Sequence, residues 1–231
     1  MLCLKDIVVQ QDSFSLQANF DIPAGRRVAV LGPSGAGKST LLSVLGGYVP
    51  VTHGRLLWQG ADITDLSPSQ RPIATVFQDN NLFPHMTAFQ NVGLGIKSNL
   101  KLDAKQADQA QAALEVVGLK DFRLRRPAAL SGGQQSRVAL ARVLVQKRPL
   151  ILLDEPFSAL GPSMRSDMVD LARDIGARTG ATLLMVSHDI NDVERFADDV
   201  IWVEDGLCHA PRALGDFLDQ PPKGFIDYIG D

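Results

Sequence analysis

The residues with the clearest chemistry are Gly32-Pro33-Ser34-Gly35-Ala36-Gly37-Lys38-Ser39-Thr40. Glycines at these spacings let the backbone turn inward and aim successive N–H groups at one spot, and a helix starting at Lys38 adds the positive end of its dipole. An anion belongs in such a loop. Lys38 can reach the β- and γ-phosphates of a nucleoside triphosphate, and the Ser39 hydroxyl is placed to ligate Mg2+. Three more polar groups stand where strands or loops end: Gln78, Asp154-Glu155 and His188. The other histidines, His53, His85 and His209, have no such setting and read as surface or locally satisfied groups.

These residues need particular elements behind them. Val28-Ala29-Val30-Leu31 before the loop and Leu41-Leu42-Ser43-Val44-Leu45 after it read as a strand and a helix, the context a phosphate-binding loop requires. Ile73 to Phe77 is a short apolar run ending at Gln78, and Leu150-Ile151-Leu152-Leu153 is a continuous apolar strand that delivers Asp154-Glu155. Thr182 to Val186 leads to Ser187-His188-Asp189, and Val200 to Val203 is the last long strand, turned at Asp205-Gly206. Ahead of the loop, Leu2 to Val9, Phe14 to Ile22 and, later, Gly54 to Trp58 predict a small antiparallel sheet.

From Asp79 the texture becomes helical. Thr87 to Ile96 and Asp103 to Val117 are helical in composition, with Asp103 as N-cap and Gly118 closing the second. A third helix follows Leu130-Ser131-Gly132-Gly133-Gln134, its apolar residues covering much of its circumference, as expected of a buried helix. Met164, Met168, Leu171 and Ile175 form a stripe expected to pack in the core, and the tail from Pro211 reads as one short helix and a loosely held end. The fold class that results is α/β: a phosphate-loop NTPase core with a largely parallel sheet, an N-terminal antiparallel β subdomain and an inserted helical subdomain. All 231 residues read as a single nucleotide-binding domain, with the insertion at about residues 79–146.

Composition bounds the rest. A net charge of −3 gives no overall basic field, which argues against non-specific nucleic-acid binding. Cys3 and Cys208 lack any metal-binding or disulfide-framework spacing and fit a reducing compartment. No window approaches the roughly 18 uninterrupted apolar residues of a membrane span, so a cytosolic chain is expected.

The order of phosphate loop, Gln78, Leu130-Ser131-Gly132-Gly133-Gln134, Leu150 to Glu155 and His188 resembles the ATP-binding subunit of an ABC transporter over nearly the whole chain. The resemblance implies ATP and Mg2+ as cofactors. It makes Asp154 a holder of the Mg2+ hydration shell, Glu155 the base for the attacking water, Gln78 a contact to Mg2+ or that water, and His188 a donor to the γ-phosphate. Ser131, Gly132, Gly133 and Gln134 would contact the γ-phosphate held by the other copy in a head-to-tail dimer that ATP closes and hydrolysis opens. Two positions depart from the pattern. Gln11 stands where close relatives place an adenine-stacking Tyr, leaving Phe14 as substitute or as core; Gly161 stands where the family usually has Asp.

Residues 78–87 and Gln90-Asn91-Val92-Gly93-Leu94-Gly95 are similar to the importer branch, most closely to ATP-binding subunits of bacterial thiamine and thiamine-diphosphate importers. That implies a peripheral protein on the cytoplasmic face of the inner membrane. Its separate permease would dock near residues 78–86, and a periplasmic or lipid-anchored solute-binding protein would act indirectly. Leu82, Phe83 and Met86 either form that docking groove or plug the insertion's own core. No residue here reads the cargo, so an importer of iron, another vitamin or a small anion is the alternative. Less favoured are a non-transport ATPase of the same superfamily and a nucleotide-binding module without turnover.

Overall fold

The computed structural model describes residues 1–11 and 14–230. In chain order the elements are β1 (Leu2–Gln11), β2 (Phe14–Ile22), β3 (Arg27–Leu31), α1 (Lys38–Gly46), β4 (His53–Trp58), β5 (Ala61–Asp62) and β6 (Ile73–Val76). Three helices of the insertion follow, α2 (Ala88–Gly93), α3 (Ala104–Val116) and α4 (Gly132–Gln146). The chain returns through β7 (Leu150–Asp154), α5 (Pro162–Thr179), β8 (Thr182–Val186), α6 (Ile190–Phe196) and β9 (Asp199–Glu204). It closes with β10 (Leu207–Cys208), β11 (Arg212–Ala213), α7 (Leu214–Asp219) and α8 (Lys223–Gly230).

The parallel strands run in the order β9-β3-β8-β7-β6, the crossover pattern expected when helices separate successive strands. Both faces of this sheet are covered, and its strands are near-continuous apolar runs, with most polar residues at their ends. Val28, Val30, Leu150, Leu152, Leu184 and Val186 share a core with α1, while Ile151, Leu153, Leu183 and Met185 face α4 and α5. The N-terminal strands instead alternate: Leu16, Ala18, Phe20 and Ile22 of β2 are buried, and Gln17, Asn19 and Asp21 face out. They pair antiparallel with β1, and β1 with β4. The two sheets are not separate layers. The two-residue β10 pairs parallel with β2 and antiparallel with β9, joining all of them into one continuous sheet.

Helix starts in the insertion are set by side chains. Thr87 with Gln90 and Asp103 with Gln106 form capping boxes at α2 and α3. The insertion has its own core, including Val92, Ala110, Leu114, Val117 and Val138, and α4 packs simultaneously on it and on the main sheet. At the end of α1 the buried Arg71 donates to the carbonyls of Thr64 and Leu66 and to those of Val44 and Leu45 in the helix's last turn. A cation there complements the negative end of the helix. Both cysteines are buried and free, and burial pushes the Cys208 thiol up to about 12.

Two expectations need correction. Met164 is 42% exposed and outside the core, because it lies in the first turn of α5, beyond the sheet, whereas Met168 and Ile175 are buried. The tail holds two helices rather than one: Phe217 of α7 and Phe225 of α8 are buried against Trp202 on the outer face of β9.

Candidate nucleotide site

The loop between β3 and α1 is shaped by close backbone approach. A Cβ on Gly32 would fall 2.0 Å from the Val203 carbonyl oxygen, so no other residue fits there. Pro33 and Ala36 form the turn, the Ala36 N–H donating to the Pro33 carbonyl, while the Ala36 carbonyl accepts from Gly206. Gly37 then takes a left-handed conformation (φ 111°) as the N-cap of α1, with no side chain capping the helix. The N-terminal end of α1 is thereby left to face a cavity of about 520 Å3 lined by Gly32, Ser34, Gly35, Gly37, Lys38, Ser39 and Thr40. The Lys38 ammonium bridges the loop, donating to the carbonyls of Gly32 and Pro33 at 2.7 Å each. Burial lowers its pKa, and the carboxylates of Glu155 and Asp154 oppose that shift.

Across the cavity, Glu155 and His188 complete the wall. Ser39 Oγ donates to Asp154 Oδ1 at 2.9 Å, bringing two oxygen ligands together at the foot of the loop. Burial raises the Asp154 pKa, the Ser39 bond works against it, and the Glu155 charge adds to it. Two hard oxygen donors beside a phosphate site suit Mg2+, which takes few protein ligands and keeps waters and phosphate oxygens for the rest.

Glu155 itself is in the left-handed region (φ 42°), a conformation that costs a non-glycine residue about 1–3 kcal/mol and concentrates at functional sites. Its Oε2 lies 3.6 Å from His188 Nδ1. The turn carrying His188 is pinned on both sides. Ser187 is buried and its hydroxyl donates to Asp192, and Asp189 caps α6 while holding Arg165 at 3.0 Å.

The ABC transporter family model matches residues 16–158, the stretch from β2 through the strand bearing Asp154 and Glu155. The thiamine import ATP-binding protein ThiQ of a Ruegeria species is 50% identical over 230 residues, covering 100% of both chains. Its counterpart from Cereibacter sphaeroides is 47% identical with the same full coverage. The chain belongs to the ABC transporter family. Among solved structures, a dimeric ATP-binding cassette in a post-hydrolysis state with ADP and Pi superposes with a TM-score of 0.80 at 30% identity, covering 93% of this chain and 99% of that one. A second ABC cassette, in its ADP conformation, gives 0.89 at 25% identity, covering 100% and 99%. A domain of this family binds nucleotide, and the cavity over α1 is the candidate site for it.

Within the cassette the expected residues fall into three groups. Most of the loop, Glu155 and His188 line one cavity, Asp154 is tied to it through Ser39, and Phe14 lines it too, its ring seated on Gly37. Gln11, across the hairpin from Phe14, does not line it. Ser131, Gly132, Gly133 and Gln134 stand apart. Ser131 caps α4 in a box with Gln134, their bonds measuring 3.3 and 3.0 Å, and Ser131 and Gly132 are exposed. Gly133 is buried under Met164, whose sulfur lies 2.1 Å from where a Cβ would stand. Gln78 is exposed two residues beyond the end of β6 and does not line the cavity. Gly161 is the N-cap of α5 at an ordinary φ of −65°, with open space where a side chain would go. Sequence reasoning missed one wall residue, Tyr228, whose only signal was an aromatic position in the tail helix.

Proposed function

We propose that the chain is the ATP-hydrolysing subunit of an ABC importer for thiamine and its phosphates, working as a pair of copies beneath a separate permease. The observation that carries the cargo is full-length identity of 50% to a thiamine import ATP-binding protein. The chemistry rests on the cavity. Lys38 and the N–H groups opening α1 hold the β- and γ-phosphates, and Phe14 offers a face for the adenine. Ser39, Asp154 and, on loop adjustment, Gln78 would hold Mg2+, which when bound neutralises charge on the phosphate oxygens. Glu155 takes the proton of a water whose oxygen bonds to the γ-phosphorus, while the bond from that phosphorus to the bridging oxygen breaks. ADP and inorganic phosphate leave. His188 donates to the γ-phosphate, and its neighbour Glu155 at 3.6 Å faces the same end of the cavity.

The exposed Ser131 and Gly132 supply the argument for a second copy. They open a 15-residue helix whose N-terminus suits an anion, yet they do not line their own chain's cavity. A head-to-tail pair would set them over the partner's γ-phosphate, and the similar cassette bound to ADP and Pi is dimeric. No helix among the described residues is long and apolar enough to cross a membrane, so transport needs the separate permease. Phe83 is 44% exposed beside a cavity of about 300 Å3 shared with Tyr48, Ile73 and Arg142, while Leu82 packs inward between two cores. Phe83 is therefore the apolar contact offered to a permease helix, and Leu82 the plug. The net charge of −3 supports a partner other than nucleic acid, and a peripheral position on the cytoplasmic face of the inner membrane follows from the docking.

Reconstitution in liposomes with permease and solute-binding protein tests this. Thiamine-loaded binding protein stimulates ATP hydrolysis several-fold, and iron- or anion-loaded counterparts do not. Stimulation by another cargo and none by thiamine overturns the assignment of cargo; absence of hydrolysis under every condition overturns the ATPase reading.

A further inference from the structure

The helix that ends the described chain reaches the nucleotide cavity. α8 lies on the outer face of β9, with Phe225 edge-on to Trp202 at 5.7 Å and to Phe217 at 4.9 Å. One turn on, the Tyr228 ring meets Trp202 at 5.9 Å, and its hydroxyl donates to the His188 carbonyl at 3.1 Å. The same tyrosine lines the cavity beside Glu155 and His188. β9 is also the strand whose Val203 carbonyl abuts Gly32, so one aromatic cluster grips the backbone behind the phosphate loop and, through Tyr228, the turn that carries His188.

His188 needs such a hold. Its side chain is 49% exposed, with Glu155 Oε2 3.6 Å from Nδ1, so the imidazole is aimed largely by its backbone. Ser187 and Asp189 fix that backbone from the α6 side. Tyr228 fixes it from the cavity side. The phenol keeps its proton at neutral pH: burial raises its pKa, and the carboxylates of Glu155 and Asp189 raise it further. It is thus a permanent donor.

We propose that α8 is a working part of the nucleotide site, in which Tyr228 is a positioning residue that holds the His188 turn, and so the imidazole, against the γ-phosphate end of the cavity. The proposal rests on His188 acting in hydrolysis as argued above. Tyr228→Phe keeps the ring on Trp202 and removes only the donor. Loss of one neutral hydrogen bond at a positioned group corresponds to about a fivefold effect, more if the imidazole swings away.

The test is steady-state hydrolysis by the full chain in four forms: wild type, Tyr228→Phe, His188→Ala and the double variant, with KM for ATP and melting temperature measured for each. The expected result is a kcat about 5- to 20-fold lower for Tyr228→Phe, with KM within about twofold and an unchanged melting temperature. Adding Tyr228→Phe to His188→Ala lowers the rate no further. A Tyr228→Phe rate equal to wild type beside an impaired His188→Ala overturns the tyrosine's role alone. An equal loss on both backgrounds shows that Tyr228 acts without His188 and also overturns it. A wild-type rate for His188→Ala overturns the histidine's assignment itself, and the tyrosine's with it.

Discussion

Two helix starts of this chain have glycine beside them and free N–H groups that suit an anion, α1 after Gly37 and α4 at Gly132, and they are built in opposite ways. α1 starts from Gly37 in a left-handed conformation, uncapped by any side chain, with Lys38 beside it and a deep cavity in front. α4 starts from Ser131 in an extended conformation, its cap closed by Gln134, its Gly133 roofed by Met164 and its exposed end outside the cavity. The first gathers a lysine, a helix N-terminus and the Ser39 hydroxyl at one cavity within a single copy. The second is stable by itself, carries no lysine at its start, and acquires a role only when a phosphate is brought to it. In the proposed head-to-tail pair each copy carries half of the hydrolytic site, and dimerisation is the step that nucleotide controls.

The largest effect should come from breaking the first helix. Lys38→Ala removes the one cation of the loop and should lower hydrolysis by about a thousandfold, with ATP affinity reduced in an equilibrium titration. Unchanged turnover would remove the distinction between the two helix starts. Ser131→Asp sharpens the comparison from the other side. Asp caps a helix as well as Ser, so the melting temperature should stay within about 2 °C. Its carboxylate would face the partner's γ-phosphate, and ATP-driven dimerisation should be lost while monomeric ATP binding is kept. Dimerisation that survives would return Ser131 to a purely capping role. The smallest effect is expected at Gly161, the third glycine helix start. Gly161→Asp finds open space and a capping geometry, and should add a few tenths of a kcal/mol, raising the melting temperature by about 1 °C.

The same contrast separates what the sequence disclosed from what it hid. Local rules were enough for the phosphate loop, for the apolar strand behind Asp154-Glu155 and for the N-cap of α3, because each is specified within a few residues. The family resemblance carried Gln78, His188 and residues 131–134, whose settings are ordinary when read alone. Long-range packing was not legible. β10 joins the two sheets with only two residues, Arg71 reaches carbonyls on two segments, and Met164 left the expected core stripe to roof Gly133. Tyr228 was hidden for the same reason: an aromatic in a short amphipathic tail helix points to a packing face, and nothing local ties it to a cavity lined by the segments after β3, β7 and β8.

The most direct measurement is the solution mass of Glu155→Gln by light scattering, in Mg-ATP and in Mg-ADP. The amide cannot take the proton of the attacking water, a loss of about 10²- to 10⁴-fold in rate, so ATP persists while every phosphate contact remains. Two half-sites predict a dimer in ATP that returns to monomer in ADP and never forms when Ser131→Asp is added. A monomer in ATP that nonetheless binds nucleotide would contradict the shared site.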